Sequence, residues 1–297
     1  MDLVNHLTDR LLFAVPKKGR LNEQAIDLLK GADIQFRRSH RLDIALSTNM
    51  PIALVFLPAA DIPRFVGEGR CTLGITGADQ VAESGVDVEE TLNLNFGNCK
   101  LQVQVPENGP FSDPKELIGK TIVTSFTKLT DDYFRKLENK QPGEKLDTFI
   151  KFVGGSVEAA IALGVGDAIV DLVESGETMR AAGLKPIGTV MSTSATLITS
   201  KQPAFKETLD IVTARISGVL AAKKFVLCTY NAPRSNLEKL LSITPGRRAP
   251  TITSLDEEDW VAVSSMVERK NHAAVMDQLT AAGAADIIIF QISNCRV

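Results

Sequence analysis

From its start to about residue 215, the chain alternates short β-rich runs with amphipathic helical stretches. Residues 11–15 and 52–57 are apolar runs of strand length, and segments with helical periodicity separate such runs. This alternation is typical of α/β units built on a parallel sheet. A Pro- and Gly-containing segment at 106–110 interrupts the pattern. We therefore predict two α/β lobes, one of residues 1–105 with 188–216 and one of residues 106–187.

The last eighty residues have a different order of predicted elements. Strand patterns at 225–230, 249–254, 260–267 and 286–292 are combined with helical patterns at 235–241 and 273–282. The order β-α-β-β-α-β is that of the ferredoxin-like split fold. We predict a separate small domain over residues 217–297.

Composition excludes several classes of protein. The 33 basic and 36 acidic side chains leave a formal net charge of −3, whereas a nucleic-acid-binding domain carries a basic patch or stripe. The four cysteines include no Cys-x-x-Cys pair, so neither a disulfide framework nor a zinc site is indicated. Apolar runs such as residues 52–57 fall far short of the ~18 residues that a membrane span needs. We expect a cytoplasmic protein with no nucleic-acid partner and no membrane partner.

The strongest functional signal lies in residues 168–179. An apolar strand pattern ends beside Asp171, passes through a small polar turn and leads into a helix. The N–H groups at a helix start and the hydroxyls of Ser175 and Thr178 suit a phosphate, and Gly176 allows the anion to approach closely. Asp171, at the carboxyl end of the strand, would meet ribose hydroxyls or a hydrated Mg²⁺. The alternative interpretation is an ordinary helix cap.

Two further turns follow predicted strands. Gly154 and Gly155 precede Glu158, which we expect to face the strand end that carries Asp171. The turn at residues 17–20 collects three cations just past the first strand, where ligands of open α/β sheets bind. A simple connector and a solvated basic loop are the respective alternatives.

Nucleophilic catalysis has little support in this sequence. It contains three histidines, and none shares a recognisable motif with a serine or a cysteine. The chemistry would therefore depend on positioning and electrostatics rather than on a covalent intermediate.

Taken together, these segments resemble one enzyme family. The signature of ATP phosphoribosyltransferase, the first enzyme of histidine biosynthesis, is matched by Glu158, Gly164, Gly166, Ile169, Asp171, Leu172, Ser175, Gly176, Thr178 and Met179. The resemblance extends over nearly the whole chain and includes residues 18–21, 96–99 and 154–158. It implies two periplasmic-binding-protein-like α/β lobes and a C-terminal ferredoxin-like regulatory domain. The chain is similar to the long, self-regulated form of fungi.

The resemblance also implies a reaction. Nitrogen 1 of the adenine of ATP attacks the anomeric carbon of phosphoribosyl pyrophosphate, and the products are phosphoribosyl-ATP and pyrophosphate. Mg²⁺ and nearby cations would neutralise the leaving pyrophosphate. The attacking nitrogen carries no proton, so this step requires no general base.

Site residues follow from the same resemblance. Asp171 and Arg20 are the implied catalytic residues, and Asp171 and Glu158 the implied Mg²⁺ ligands. Phosphoribosyl pyrophosphate would bind to Glu174, Ser175, Gly176, Glu177 and Thr178. ATP or pyrophosphate would bind to Lys17, Lys18, Gly19, Thr76 and Asp79.

Regulation and assembly are implied as well. Histidine would bind between the tails of neighbouring subunits, at Asn231, Thr251 and Ser265, and AMP and ADP are expected to inhibit. The subunits would form dimers that associate to a hexamer. An alternative is that the tail only holds the oligomer together.

One alternative function comes from another class of protein. Two lobes of this kind also build small-molecule-binding proteins that have no catalytic activity. We expect a secreted binder to carry a signal peptide and a repressor to carry a helix-turn-helix, and we find neither pattern in the sequence.

Overall fold

The computed structural model describes residues 7–38 and 42–296. In this part of the chain the first lobe is a mixed sheet connected by helices. Its elements are β1 (Leu11–Pro16), α1 (Arg20–Gly31), β2 (Ile44–Leu46), β3 (Ile52–Leu57), α2 (Ile62–Gly67), β4 (Leu73–Gly77), α3 (Ala78–Ser84), β5 (Glu89–Asn93) and β11 (Ala195–Thr199). The strand order is β2-β3-β1-β4-β11-β5. Strand β1 pairs in parallel with both β3 and β4 and is nearly all buried, because its apolar side chains fill both faces of the sheet.

The second lobe is a separate sheet that carries the predicted phosphate turn. Its elements are β6 (Cys99–Pro106), β7 (Thr121–Thr124), α4 (Thr127–Leu137), β8 (Phe149–Phe152), α5 (Ala159–Ala162), β9 (Ala168–Val173), α6 (Glu177–Ala181) and β10 (Leu184–Thr193). The strand order is β10-β6-β9-β7-β8, in which β7 and β9 are parallel. The carboxyl ends of β7 and β9 therefore share one edge of the sheet, where ligands of such sheets bind.

A long helix, α7 (Lys206–Lys224), precedes the tail. The tail consists of β12 (Phe225–Pro233), α8 (Leu237–Ile243), β13 (Thr251–Ser254), β14 (Trp260–Glu268), α9 (His272–Ala281) and β15 (Ala285–Gln291). Its antiparallel sheet has the order β13-β14-β12-β15. Alternate side chains of β12 and β14 are buried in one core with Leu240 of α8 and Leu279 of α9. The predicted β-α-β-β-α-β order, and with it the predicted fold class, is confirmed.

The boundaries between the lobes differ from the predicted ones. Strands β6 and β10 pair with each other over their whole length, so both belong to the second sheet. The chain therefore crosses between the sheets near residues 94–98 and at Ser194, and the predicted boundaries at 105 and 188 fall at or inside strands. By contacts, the tail unit begins at Asp210 rather than at 217 and also includes Asp27–Gln35. Among the described residues, no helix combines the length and apolar character needed to cross a bilayer.

Candidate active site

A cavity of about 340 Å³ lies at the carboxyl edge of the second sheet. Its wall is the chain from Leu172 to Met179, and Arg20, Gly97 and Cys99 complete it. An adjoining space of about 420 Å³ shares the same turn and reaches Arg180 and Thr193. The structure thus brings the predicted phosphate turn and Arg20, which lie far apart in the sequence, to one cavity.

The turn between β9 and α6 depends on a glycine. Gly176 has a φ of +76°, a left-handed conformation that residues with a Cβ rarely adopt. A Cβ at this position would lie 2.7 Å from Nη1 of Arg180. The Arg180 guanidinium lies against the turn, since its Nη2 donates to the carbonyl of Ser175 at 3.1 Å. Sequence reasoning did not identify Arg180 as a cation of this site. Its position, one turn into the helix that follows the phosphate turn, was a signal that could have identified it.

An ion pair connects the two lobes across the cavity. Nη1 of Arg20, in the first lobe, donates to Oε2 of Glu174, in the second lobe, at 2.7 Å. The two side chains are 72% and 52% exposed, and an exposed pair typically contributes only about 0–1 kcal/mol. This ion pair can therefore open at little cost.

Asp171, in β9, and Glu158 are two carboxyl groups that affect each other electrostatically, and neither lines the cavity or the adjoining space. Burial raises the pKa of Asp171, and the nearby charge of Glu158 raises it further, although the backbone N–H of Leu172 donates to Asp171 Oδ1 at 2.8 Å and opposes the shift. Among the described residues, no cluster of three or more His, Cys, Asp or Glu side chains could hold a metal alone. Mg²⁺ typically binds one or two carboxylates together with substrate phosphates and waters. Asp171 and Glu158 match this preference in the type and number of their side chains.

The residues of the basic turn at 17–20 make different contacts. Nζ of Lys17 pairs with Oδ2 of Asp43 at 2.6 Å, and this hydrogen bond is the main reason that the pKa of Asp43 is lowered. Gly19, with a φ of +79°, offers its carbonyl to the first turn of α1. Lys18 is exposed. Of this turn, only Arg20 lines the cavity.

Thr76 and Asp79 are used inside the protein. The Thr76 hydroxyl is fully buried and donates to the carbonyl of Ala59 at 2.8 Å. Asp79 is 4% exposed, and its Oδ1 accepts a hydrogen bond from the Thr193 hydroxyl at 2.8 Å. Neither residue lines the cavity, in contrast to the expected contact with ATP or pyrophosphate. Both side chains instead hydrogen-bond to residues elsewhere in the chain, Ala59 and Thr193, whose proximity the sequence does not indicate.

Cys99 lies in the cavity wall but is a poor nucleophile. Burial is the main cause that raises the pKa of its thiol to about 11, and the charges of Asp79 and Glu174 add to the shift. The reactive form of cysteine is the thiolate. The raised pKa therefore keeps the Cys99 thiol protonated at neutral pH. Residues 97–99 were part of the resemblance, but sequence reasoning gave them no role.

The three predicted histidine-binding residues do not share one surface. Thr251 pairs with Ser264 and Asn231 with Ala262, so both side chains lie on the sheet face opposite the helices. Ser265, next in the chain to Ser264, points to the helix-covered core; it is 3% exposed and donates to the carbonyl of Thr244 at 2.9 Å. Strand alternation therefore excludes Ser265 from a pocket with the other two. Asn231 Nδ2 also donates to Asp286 Oδ2 at 2.8 Å.

Comparisons with known proteins identify the family. A family model described as ATP phosphoribosyltransferase (HisG) matches residues 58–218, and a model of the HisG C-terminal domain matches residues 222–294. The chain belongs to the ATP phosphoribosyltransferase family. It is 69% identical over 297 residues to the enzyme of Yarrowia lipolytica and 65% identical over 298 residues to that of Saccharomyces cerevisiae, with 100% of each chain covered.

A solved structure agrees with the fold. The chain is similar to one in the ATP phosphoribosyltransferase (HisG:HisZ) complex of Thermotoga maritima, with 21% identity, a TM-score of 0.58, and coverage of 70% of this chain and 96% of that one. Family membership confirms the predicted enzyme class, a pentosyltransferase of histidine biosynthesis. It decides against the alternative of a binding protein that has no catalytic activity.

Proposed function

We propose that this enzyme transfers the phosphoribosyl group of phosphoribosyl pyrophosphate to nitrogen 1 of the adenine of ATP. The observation that carries the proposal is the cavity in which Arg20 faces the turn from Glu174 to Thr178. The second lobe provides hydroxyls and a glycine turn, and the first lobe provides a cation on the opposite side of the cavity. One phosphorylated ligand can contact both sides. The test is to mix the pure protein with ATP and phosphoribosyl pyrophosphate and to measure pyrophosphate release, which must require both substrates.

Each group has a role in this proposal. The turn binds the 5-phosphate, Asp171 orients the ribose hydroxyls, and Arg20 with Lys18 attracts the pyrophosphate or the triphosphate. Lys17 pairs with Asp43. Thr76, in β4, hydrogen-bonds to Ala59, and Asp79 accepts a hydrogen bond from Thr193. The main catalytic effects are the positioning of two substrates and the stabilisation of charge that develops on the leaving group.

Magnesium fits this site as a cofactor bound with substrate. Asp171 and Glu158 would hold it, because a cation would relieve both the burial of the Asp171 carboxylate and its repulsion by Glu158. When bound, the metal supplies positive charge to the pyrophosphate oxygens. The protein side chains orient the ribose and keep the reacting carbon within reach of the adenine.

Replacing Arg20 by alanine is expected to lower kcat/KM by about ten- to a hundredfold, because a charge-assisted hydrogen bond contributes about 1.5–3 kcal/mol. The measurement is steady-state pyrophosphate release with phosphoribosyl pyrophosphate as the varied substrate. Arg70→Ala, an exposed arginine of the same lobe that does not line the cavity, is the control. A change below about twofold in Arg20→Ala would show that the pair with Glu174 is only surface structure.

We also propose that histidine inhibits the enzyme by binding to the tail, at the sheet face that carries Asn231 and Thr251. Inhibition requires that histidine prefer an inactive arrangement of the enzyme. AMP and ADP would inhibit by occupying the ATP site. The exposed Ile288 and Phe290, at 48% and 51%, lie on the same sheet, and a homo-oligomer would cover them. Its subunits would form dimers that associate to a hexamer. Light scattering tests that assembly, and cell fractionation tests the proposed cytoplasmic location.

Thr251→Val removes one hydroxyl from this face while it keeps the side-chain shape. The inhibitory concentration of histidine is expected to rise about two- to tenfold, which is the effect of one lost neutral hydrogen bond, and turnover without histidine should stay close to that of the parent. Thr280→Val, on the exposed side of α9, is the matched control. Unchanged histidine sensitivity in Thr251→Val would exclude this face as the binding site.

A further inference from the structure

The two lobes of the catalytic part are connected by few chain crossings. Within the described residues the chain passes between the sheets near residues 94–98 and at Ser194. Because so few chain segments connect the lobes, side-chain contacts away from these crossings determine how far apart the lobes lie. The exposed pair of Arg20 and Glu174 is one such contact, and helix α3 provides a second one.

Helix α3 carries two carboxyl groups on one face. Asp79 and Glu83 are four residues apart, so they lie on the same side of the helix. Asp79 is held beside the crossing, since its backbone N–H donates to Oγ1 of Thr193 at 3.0 Å and its Oδ1 accepts from the same hydroxyl. Glu83 reaches the other lobe.

The Glu83 carboxylate binds the first turn of α4. Oε1 accepts hydrogen bonds from the backbone N–H of Lys128 at 2.9 Å and from the Thr127 hydroxyl at 3.3 Å, and Oε2 accepts from the N–H of Leu129 at 2.9 Å. The first N–H groups of a helix have no partner within the helix. A carboxylate placed there satisfies them and interacts favourably with the helix dipole.

The cap comes from the opposite lobe because α4 lacks one of its own. The residue at its N-cap position is Phe126, whose side chain makes no capping hydrogen bond among the described residues. Ser, Thr, Asp or Asn is the usual choice at this position. The capping group is instead supplied from more than forty residues earlier in the chain, across the gap between the lobes.

Glu83 is thereby connected to the phosphate turn. Helix α4 follows β7, and β7 pairs in parallel with β9 through Thr124 and Val170. Strand β9 leads directly into the turn at Glu174. A contact that fixes the start of α4 relative to the first lobe therefore also fixes the distance from Arg20 to this turn.

We propose that Glu83 is a positioning residue that holds the lobes at the spacing at which one ligand can touch both Arg20 and the turn. The inference rests on the proposed function, because phosphoribosyl pyrophosphate is the ligand that spans both sides. Ribose 5-phosphate carries the 5-phosphate and the ribose but not the pyrophosphate, so it needs only the second lobe. The two ligands separate a spacing effect from damage to the turn itself.

The experiment compares Glu83→Ala with the parent chain by calorimetric titration of both ligands. Loss of a helix cap that also sets the lobe spacing is expected to weaken phosphoribosyl pyrophosphate binding about five- to twentyfold, while ribose 5-phosphate binding changes by less than about twofold. In turnover, KM for phosphoribosyl pyrophosphate should rise more than kcat falls. Glu83→Gln, which keeps an acceptor oxygen and is the milder change, should show a smaller effect in the same direction.

A second variant separates positioning from simple helix stability. Thr127→Asp in the Glu83→Ala background places an acid in the first turn of α4 from its own lobe, and should restore Tm but not the affinity for phosphoribosyl pyrophosphate. The inference is overturned if Glu83→Ala and Glu83→Gln bind this ligand like the parent, if both ligands weaken equally, or if the double variant regains the affinity. A parent chain that does not bind phosphoribosyl pyrophosphate would instead overturn the proposed function.

Discussion

Gly176→Val is expected to abolish measurable binding of phosphoribosyl pyrophosphate, a loss of about a hundredfold or more in affinity. Gly176 has a φ of +76°, and the added Cβ would lie 2.7 Å from Nη1 of Arg180 and 3.5 Å from Cε of Met179. The positive φ strains any residue with a Cβ, and a β-branched side chain would push the Arg180 guanidinium aside and fill the space that the phosphate needs. Calorimetric titration with phosphoribosyl pyrophosphate measures the effect.

A matched glycine separates the loss of binding from backbone strain. Gly119, in the same lobe, has a φ of +80° and no described atom within 4 Å of a Cβ built on it. Gly119→Val should share the strain and lower Tm, but should leave the affinity for phosphoribosyl pyrophosphate close to that of the parent. Equal affinities in the two valine variants would show that the turn from Glu174 to Thr178 is not the phosphate site.

Asp171→Asn is expected to lower kcat/KM by about 10²–10³-fold, the range typical for removal of one well-placed electrostatic group in an active site. The amide keeps the shape and can still accept the hydrogen bond from the N–H of Leu172. It cannot supply negative charge to a magnesium ion or to the ribose. Pyrophosphate release as a function of Mg²⁺ concentration measures the effect. Asp256→Asn, at an exposed turn of the tail, is the control.

The same substitution should raise Tm at neutral pH. Burial and the charge of Glu158 raise the pKa of Asp171 above its ordinary value of 3.8. A raised carboxyl pKa contributes stability below the unfolded-state pKa, and this contribution is lost as the pH rises through the folded-state pKa. The ionised carboxylate therefore destabilises the parent at pH 7, and the difference in Tm should shrink in acid. An asparagine variant that is less stable at pH 7 would contradict this account of the site.

Local patterns predicted most of the regular structure, and the exceptions have physical reasons. The edge strand Glu89–Asn93 has a polar sequence and forms because it pairs with Ala195–Thr199, a segment that returns from the second lobe. Helix α7 was not predicted, although Leu209, Val212, Ile216 and Val219 recur at helical spacing and are buried. The sequence of residues 89–93 thus lacks a strand signal, whereas the helical signal of α7 is present in the sequence.

Sequence alone determined the features whose information is local. The turn from Glu174 to Thr178 and the element order of the tail depend on neighbouring residues, and the structure places that turn in the wall of the cavity. Only the tertiary structure decided which distant groups meet. Arg20 pairs with Glu174, which is 154 positions away, and Glu83 caps a helix of the other lobe. Ser265 is buried while Thr251 is exposed because strand register assigns them to opposite faces. Such contacts depend on how sheets pair and lobes approach, and no spacing within the chain encodes those distances.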